Sequence, residues 1–235
     1  MPAISESALP DSLRVAVLAS GRGTNLQALL DAQQDASCRF RVVGVFSDRG
    51  HAQALQRARD AGVPAVALQP VDYPTREAFD AALCDAIDAV RPDLVVCAGY
   101  LRVLTAEAVQ RYCGRLINIH PSLLPLFPGL RTHARALAAG VAEHGASVHY
   151  VIPALDAGPA IAQARVPVRA DDTAATLAAR VLEREHPLLL ACVRMIAAGR
   201  VLQNGSVVVV DSRPRSEPLL LADDNVLIAP ECKPR

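Results

Sequence analysis

Short apolar runs rich in β-branched residues alternate with helical patterns from residue 13 onward. Alternation of this kind is typical of βαβ units and of a mainly parallel sheet. The predicted strands are Arg14 to Ala19, Arg41 to Phe46, Ala65 to Leu68, Leu94 to Ala98, Arg115 to His120, Ser147 to Ile152 and Ala160 to Val168. Few residues connect the last two strands, so that pair can be antiparallel.

Two longer segments carry the helical pattern. Between Thr75 and Val90 the apolar residues fall on one stripe, which is the spacing of a surface helix that packs against a sheet. A closing helix is predicted from about Thr173 to Ala198, with Asp172 or Thr173 as its N-cap and a kink at Pro187. The whole pattern predicts an α/β fold with an open, mostly parallel twisted sheet and helices on both faces.

The chain length fits a single domain, because 235 residues lie near the upper end of what one hydrophobic core supports. We expect residues 1–12 to be a disordered N-terminal extension and residues 13–202 to be the domain. Residues 203–235 contain one apolar run and then a charged, Pro-rich end. They are predicted to form an edge hairpin and a loose C-terminal tail.

Composition and charge exclude several classes of protein. Hydrophobic residues make up 51% of the chain and charged residues 20%, which is far from the composition of a disordered protein. The 24 basic residues balance the 24 acidic ones, so no net field attracts nucleic acid or an anionic membrane. No apolar run approaches the roughly 20 residues of a spanning helix. We expect neither nucleic acid nor a membrane as a partner.

The cysteines and the first residues bear on location. None of the six cysteines is in a C-x-x-C pair, and their density is far below that of a small secreted scaffold. The first twelve residues lack the basic start and apolar core of a signal peptide. These features favour a reducing, cytoplasmic location.

A Gly-rich turn follows the first predicted strand and contains Gly23, Thr24 and Asn25. A strand-to-helix turn of this kind lets backbone N–H groups approach an anion, and the helix N-terminus adds partial positive charge. The turn therefore predicts a phosphate site, although a tight turn that serves packing alone is the alternative. Leu26 stands where a dinucleotide-binding fingerprint has its third glycine, and no Walker lysine is present.

Asn118 and His120 lie at the end of a predicted strand, directly before Pro121. Side chains alternate across a strand, so both project from one face, and ligands bind at the carboxyl ends of parallel strands. Asp156 lies in a later loop, and a carboxylate near an imidazole orients it and favours its protonated form. Such a trio suits direct addition of an amine to a carbonyl carbon. The alternative is a hydrogen-bonded core histidine.

Covalent and metal-dependent routes have weaker support in the sequence. Ser122 is close to His120 but is not in a nucleophile elbow. The other histidines, His51, His133, His144 and His149, follow no metal-binding pattern. We therefore expect no metal and interpret these four as surface or packing residues.

The chain resembles the phosphoribosylglycinamide formyltransferases, which use 10-formyltetrahydrofolate in purine biosynthesis. The matching motifs are SGRGTN at 20–25, GYLRVL at 99–104, NIHPSLLPLFPG at 118–129, HGASVH at 144–149, LDAGP at 155–159 and EREH at 183–186. They cover roughly residues 13–200. The resemblance implies a Rossmann-like formyltransferase fold and a direct attack that passes through a tetrahedral intermediate.

The resemblance also implies the roles of individual residues. Asn118, His120 and Asp156 would be catalytic, and Gly23, Thr24 and Asn25 would hold the substrate phosphate. The ribose hydroxyls would meet Glu185. The pocket for 10-formyltetrahydrofolate would be lined by Arg76, Leu101, Arg102, Val103, Leu104 and Asn118. Without the resemblance, Leu101, Val103 and Leu104 would be interpreted as packing residues. Arg76 and Glu185 would be interpreted as ordinary charges on a helix surface. Small molecules would be the only substrates, and the protein would be a monomer or a homodimer.

Three positions depart from the pattern of the family. Leu126 replaces a frequent lysine, and Leu101 replaces a frequent methionine. Ala157 occupies a position that is often glycine, so the loop that carries Asp156 would be strained if this position needs a positive φ.

Other functions remain as alternatives. A formyltetrahydrofolate hydrolase would use a similar trio. Such hydrolases carry an additional N-terminal regulatory domain, whereas only twelve residues precede the predicted domain here. A methionyl-tRNA formyltransferase would carry a basic C-terminal domain. A dehydrogenase-like nucleotide-binding module would use Asp48 to contact a ribose.

Overall fold

The computed structural model describes residues 12–230. The predicted N-terminal extension therefore lies outside the described residues, apart from Ser12. The first five strands are β1 (Leu13–Leu18), β2 (Phe40–Ser47), β3 (Ala65–Ala67), β4 (Leu94–Cys97) and β5 (Leu116–His120). Two long strands follow, β6 (Glu143–Tyr150) and β7 (Ala160–Pro167). All seven agree with the predicted strands to within a few residues at each end.

Six α-helices connect and follow these strands. They are α1 (Thr24–Ala32), α2 (Gln53–Asp60), α3 (Arg76–Ala89), α4 (Ala106–Arg111), α5 (Thr132–Ala138) and α6 (Ala174–Ala197). Thr173 is the N-cap of α6, and it forms a reciprocal capping box with Thr176. The helix continues through Pro187. None of the helices in residues 12–230 is long and apolar enough to cross a membrane.

The main sheet is open and mostly parallel, as predicted. Strands β1 to β5 pair in parallel in the order β5-β4-β1-β2-β3. Strands β6 and β7 extend the sheet beyond β5, and both pairings there are antiparallel. The carboxyl ends of β1, β4 and β5 therefore meet at one edge of the sheet.

β6 begins four residues before the predicted start. Gly145 interrupts the apolar pattern, and a Cβ atom on it would lie 1.9 Å from the carbonyl oxygen of Ala164 on β7. The glycine is therefore required by the close approach of two strands and does not mark a turn. Because Gly145 breaks the alternation of apolar and polar residues, the sequence pattern does not predict the first half of β6.

The C-terminal segment, as far as residue 230, forms more strands than the single hairpin that the sequence predicts; residues 231–235 of the predicted tail lie outside the described residues. Strands β8 (Val201–Asn204), β9 (Val207–Val210) and β10 (Arg213–Arg215) form a separate three-stranded antiparallel sheet. Strands β11 (Leu219–Leu221) and β12 (Leu227–Ile228) then join the main sheet next to β7. The short strands escape prediction because two or three residues carry almost no periodic signal.

Apolar cores lie on both faces of the main sheet. One core contains Val15, Val17 and the buried faces of α1, α2 and α6, and the other contains Ala16, Leu18 and the buried face of α3. Alternate residues of β1 thus enter opposite cores, as the geometry of a strand requires. Because helices cover both faces of the sheet, the carboxyl ends of the strands remain accessible.

Candidate active site

The residues predicted as a catalytic trio lie at the carboxyl end of β5 and on the loop after β6. Asn118 and His120 share one face of β5, and the His120 side chain is only 8% exposed. The His120 ring Nδ1 lies 3.4 Å from Asp156 Oδ2. Residues 36 positions apart in sequence are thus close in space, as the interpretation required.

Both ring nitrogens of His120 face oxygen acceptors. Nδ1 faces the Asp156 carboxylate, and Nε2 lies 3.0 Å from the carbonyl oxygen of Phe127. The backbone N–H of Gly129 donates to Asp156 Oδ2 at 2.8 Å. The segment from Phe127 to Gly129 therefore contacts both members of the pair. The His120 ring is therefore held between two hydrogen-bond acceptors.

Asp156, and not Ala157, takes up the strained backbone of its loop. Asp156 has a φ of 49°, and Ala157 is not among the non-glycine residues with positive φ. Aspartate tolerates the left-handed region better than most residues because its short polar side chain bonds locally. Position 157 does not need a positive φ, so Ala157 does not strain this loop.

His149 contacts the trio, although the sequence predicted only a surface or packing role for it. Its Nδ1 lies 2.9 Å from the Tyr150 carbonyl oxygen, so Nδ1 carries the hydrogen and Nε2 can accept. Asn118 Nδ2 donates to that Nε2 at 3.1 Å. The ring therefore orients the Asn118 amide. The antiparallel register of β5 and β6, which pairs Asn118 with His149, is the signal that could have found it.

Burial keeps the neighbouring imidazoles neutral. It lowers the pKa of His149 and of His133, and it lowers the pKa of His144 to about 4. His144 is buried, His133 is half-buried, and the two rings are hydrogen-bonded to each other at 3.1 Å, so both are packing residues, one of the two roles expected. His51, by contrast, is exposed as expected. Because these neighbouring imidazoles are neutral, they do not compete with His120 for an ion pair with the Asp156 carboxylate.

Ser122 does not act as a nucleophile in this arrangement. Its side chain is fully buried, and its Oγ donates to the carbonyl oxygen of Leu126 at 2.6 Å. Ser147 Oγ donates to the Ser122 carbonyl oxygen at 2.7 Å, and Gln163 donates to Ser147 Oγ and to the Leu124 carbonyl oxygen. This buried network fixes the loop that follows His120.

The Gly-rich turn joins β1 to α1, and Gly23 is the N-cap of the helix. Gly23 has a φ of 69°, and a Cβ on it would lie 2.8 Å from the Ala54 Cα atom. No side chain in residues 12–230 caps the first turn of α1. Thr24 and Asn25 begin the helix, so their backbone N–H groups point out of the helix end with no helical partner. This geometry suits an anion.

Asn25 connects the turn to α6. Its Nδ2 donates to Glu185 Oε2 at 2.7 Å, and both side chains are buried. The Asn25 Oδ1 atom is also buried, and it has no partner among the described residues. Glu185, 160 positions from Asn25, thus lies beside the turn. A buried carboxylate and an amide with a free acceptor suit the hydroxyl groups of a sugar.

Replacing Glu185 with glutamine should change the pH dependence of stability. Burial raises the pKa of Glu185, and the Asn25 hydrogen bond opposes this rise. An acid whose pKa is raised in the folded state destabilises the fold when pH exceeds that pKa, and the penalty disappears below the unfolded value. Urea unfolding should therefore show Glu185→Gln more stable than wild type at pH 8, with equal stability near pH 4. A gain of the same size at both pH values would contradict this.

The loop after β4 holds the residues predicted to line a folate pocket. Leu101 N donates to Ser20 Oγ at 2.9 Å, Arg76 donates to the Val103 carbonyl oxygen, and Thr105 N donates to Asp80 Oδ2 at 2.6 Å. Arg102 stacks over the Phe79 ring at 4.9 Å. Leu104 is partly buried and packs with the core on the α3 face. The loop is therefore fixed at both ends and tied to the Gly-rich turn.

Several large apolar side chains in the loops beyond β4, β5 and β6 are exposed. They are Leu101 at 55%, Val103 at 50%, Leu126 at 52%, Leu130 at 73% and Leu155 at 54%. Exposed apolar residues concentrated in loops at one edge of a sheet are typical of a ligand site. Leu126 adds to this apolar rim.

The dehydrogenase-like reading loses support in the geometry. Leu26 is fully buried and occupies the space of the third glycine of a dinucleotide fingerprint. In residues 12–230 no three His, Cys, Asp or Glu side chains are grouped as metal ligands would be.

Comparison with known proteins gives the class of protein. A model of the formyl transferase family matches residues 13–193. The chain therefore belongs to the formyl transferase family.

Individual relatives narrow the class. The phosphoribosylglycinamide formyltransferase of Escherichia coli is 43% identical over 201 residues, which is 86% of this chain and 95% of that protein. The solved structure of a phosphoribosylglycinamide formyltransferase from Coxiella burnetii has a TM-score of 0.84 and 44% identity, and the match covers 87% of this chain and 96% of that one. Within the family, the chain belongs with the phosphoribosylglycinamide formyltransferases.

A formyltetrahydrofolate deformylase from Burkholderia mallei is more distant. It has a TM-score of 0.75 and 30% identity, and the match covers 85% of this chain and 70% of that one.

Proposed function

We propose that the chain transfers the formyl group of 10-formyltetrahydrofolate to the amine of 5-phosphoribosylglycinamide, giving formylglycinamide ribonucleotide and tetrahydrofolate in purine biosynthesis. The observation that carries the proposal is the approach of His120 to Asp156 beside Asn118, at the edge where the Gly-rich turn lies. The place of action would be the cytoplasm, and the protein would act as a monomer or homodimer.

The ribonucleotide would bind at the Gly-rich turn. Backbone N–H groups of Gly23, Thr24 and Asn25 would hold the phosphate, because the helix end offers uncapped donors. Glu185 would accept hydrogen bonds from the ribose hydroxyls. Asn25 supports this role, since its amide already orients the Glu185 carboxylate.

The folate would bind along the loop from Leu101 to Leu104. Backbone groups of this loop, held in place by Ser20 and Arg76, would pair with the edge of the pteridine. Arg102 supports the fit, because its buried Nε atom has no partner among the described residues. The exposed apolar side chains nearby would cover the aromatic part of the substrate.

The trio would act on the charge that develops during the reaction. The amine attacks the formyl carbon, and the carbonyl oxygen takes up negative charge in the tetrahedral intermediate. Asn118 would donate to that oxygen, and His120 would donate to it in place of the Phe127 carbonyl. Asp156, beside the ring Nδ1, would orient the imidazole. A donor aimed at the developing oxyanion lowers the barrier because it needs no reorganisation. The intermediate would then collapse as the bond between the formyl carbon and the folate nitrogen breaks. A proton would pass from the amine to that nitrogen through water.

An absorbance assay of tetrahydrofolate release tests the proposal. We expect release from 10-formyltetrahydrofolate only when phosphoribosylglycinamide is present. The similarity to a deformylase makes hydrolysis the second candidate, and it predicts equal release with and without the nucleotide. Equal release would therefore overturn the proposed transfer.

A further inference from the structure

The turn of α6 that carries Glu185 has a weakened backbone. Pro187 has no N–H group, so the carbonyl of Glu183, four residues earlier, loses its helical partner. Glu185 lies between these two residues. The side chain proposed to bind the ribose thus stands on a turn with fewer helical hydrogen bonds than its neighbours.

Arg184, on the same turn, is tied to the C-terminal strap, which we define as residues 219–228. Arg184 Nη2 donates to the carbonyl oxygens of Ala222 at 2.8 Å and Leu221 at 3.1 Å. Its Nη1 donates to Asn225 Oδ1 at 3.3 Å. Hydrogen bonds from a charged donor are stronger than neutral ones. The guanidinium therefore connects the weakened turn to three points of the strap.

The strap is itself anchored to the main sheet. β11 pairs in parallel with β7, so that Leu219 lies opposite Ala162, and β12 pairs with β11. The side chains of Leu219 and Leu221 are buried, and Ala222 N donates to the Val226 carbonyl oxygen to close the turn between the two strands. The pairing with β7 thus holds in place the strap carbonyl groups that accept hydrogen bonds from Arg184.

The turn is held on two sides by adjacent residues. Arg184 bonds to the strap, and Glu185 bonds to Asn25 at the start of α1. Loss of the strap contacts would let the weakened turn move and would change the position of the Glu185 carboxylate. The strap lies beyond residue 193, where the match to the family model ends.

We propose that Arg184 and the C-terminal strap are positioning elements of the nucleotide site: they hold the Glu183–Pro187 turn so that Glu185 faces the ribose. The proposal rests on the proposed role of Glu185 in nucleotide binding. Arg184 does not touch the reacting atoms.

Arg184→Met tests the proposal, since methionine keeps an apolar stem and removes the donors. The loss of several hydrogen bonds should raise KM for phosphoribosylglycinamide about three- to tenfold. KM for 10-formyltetrahydrofolate and kcat should stay within about twofold. Amide hydrogen exchange should become faster between residues 183 and 189. The matched control is Arg194→Met, an exposed arginine on the same helix, which should change none of these values.

Removing residues 218–235 provides an independent check. If Arg184 acts through the strap, the truncated chain should have the same KM for the nucleotide with arginine or methionine at position 184. An unchanged KM and unchanged exchange in full-length Arg184→Met would overturn the proposal, as would an equal effect of the substitution in the truncated chain.

Glu185→Ala separates the positioning role of the strap from the proposed formyl transfer. If the variant leaves the nucleotide KM unchanged while the wild-type protein is active, Glu185 does not bind the nucleotide. The positioning role of Arg184 and the strap would then be wrong, and the formyl transfer would stand.

Discussion

Replacing His120 with alanine should lower kcat by roughly a hundredfold or more, and Asn118→Ala should have an effect of similar size. Each side chain is expected to donate to the oxygen that becomes negative in the tetrahedral intermediate. A preorganised donor of this kind contributes far more to the transition state than to the ground state, so KM should change little. Steady-state kinetics of the purified variants measures both constants.

His51→Ala is the matched control for the loss of an imidazole, because His51 is exposed and lies outside the site. It should retain wild-type turnover. If both His120→Ala and Asn118→Ala turned over at nearly the wild-type rate, neither side chain would belong in the mechanism.

Gly23→Ala should raise KM for phosphoribosylglycinamide by tenfold or more. Alanine in the left-handed region costs about 1–2 kcal/mol, and Gly23 has a φ of 69°. The new Cβ would also lie 2.7 Å from the Ala54 Cβ and 2.8 Å from its Cα, so α2 or the turn must shift. A shifted turn misplaces the N–H groups proposed to hold the phosphate. Kinetics and thermal unfolding together measure the two effects.

Gly62→Ala controls for the strain alone. Gly62 has a φ of 70°, no atom lies within 4 Å of its Cβ position, and it follows α2 at a distance from the turn. It should lower stability by a similar conformational penalty and leave the nucleotide KM unchanged. A nucleotide KM that Gly23→Ala leaves at the wild-type value would contradict the phosphate role of the turn.

The fold was predictable where periodicity is strong. The first five strands and the helix over Arg76–Ala89 follow from apolar spacing, because each buries one face or both in a core. The first half of β6 was not predictable, since Gly145 is dictated by the close approach of Ala164, a contact between strands distant in sequence. The strands after residue 200 are too short for periodicity to reveal.

The sequence predicted which side chains form the site. It did not predict the contacts that hold those side chains in place. The alternation of β5 placed Asn118 and His120 on one face, and the family resemblance added Asp156 and Glu185. His149 was missed because its role depends on the register between β5 and β6. The hydrogen bond from His120 to the Phe127 carbonyl depends on a loop conformation with a φ of 55° at Phe127, which no pattern of residue types encodes.

The most direct test follows the formyl carbon itself. A 13C label in the formyl group of 10-formyltetrahydrofolate should appear, by NMR, in the amide of formylglycinamide ribonucleotide when the wild-type protein and phosphoribosylglycinamide are present. His120→Ala should slow that transfer by the same factor as kcat. A label recovered as formate would contradict direct transfer to the amine.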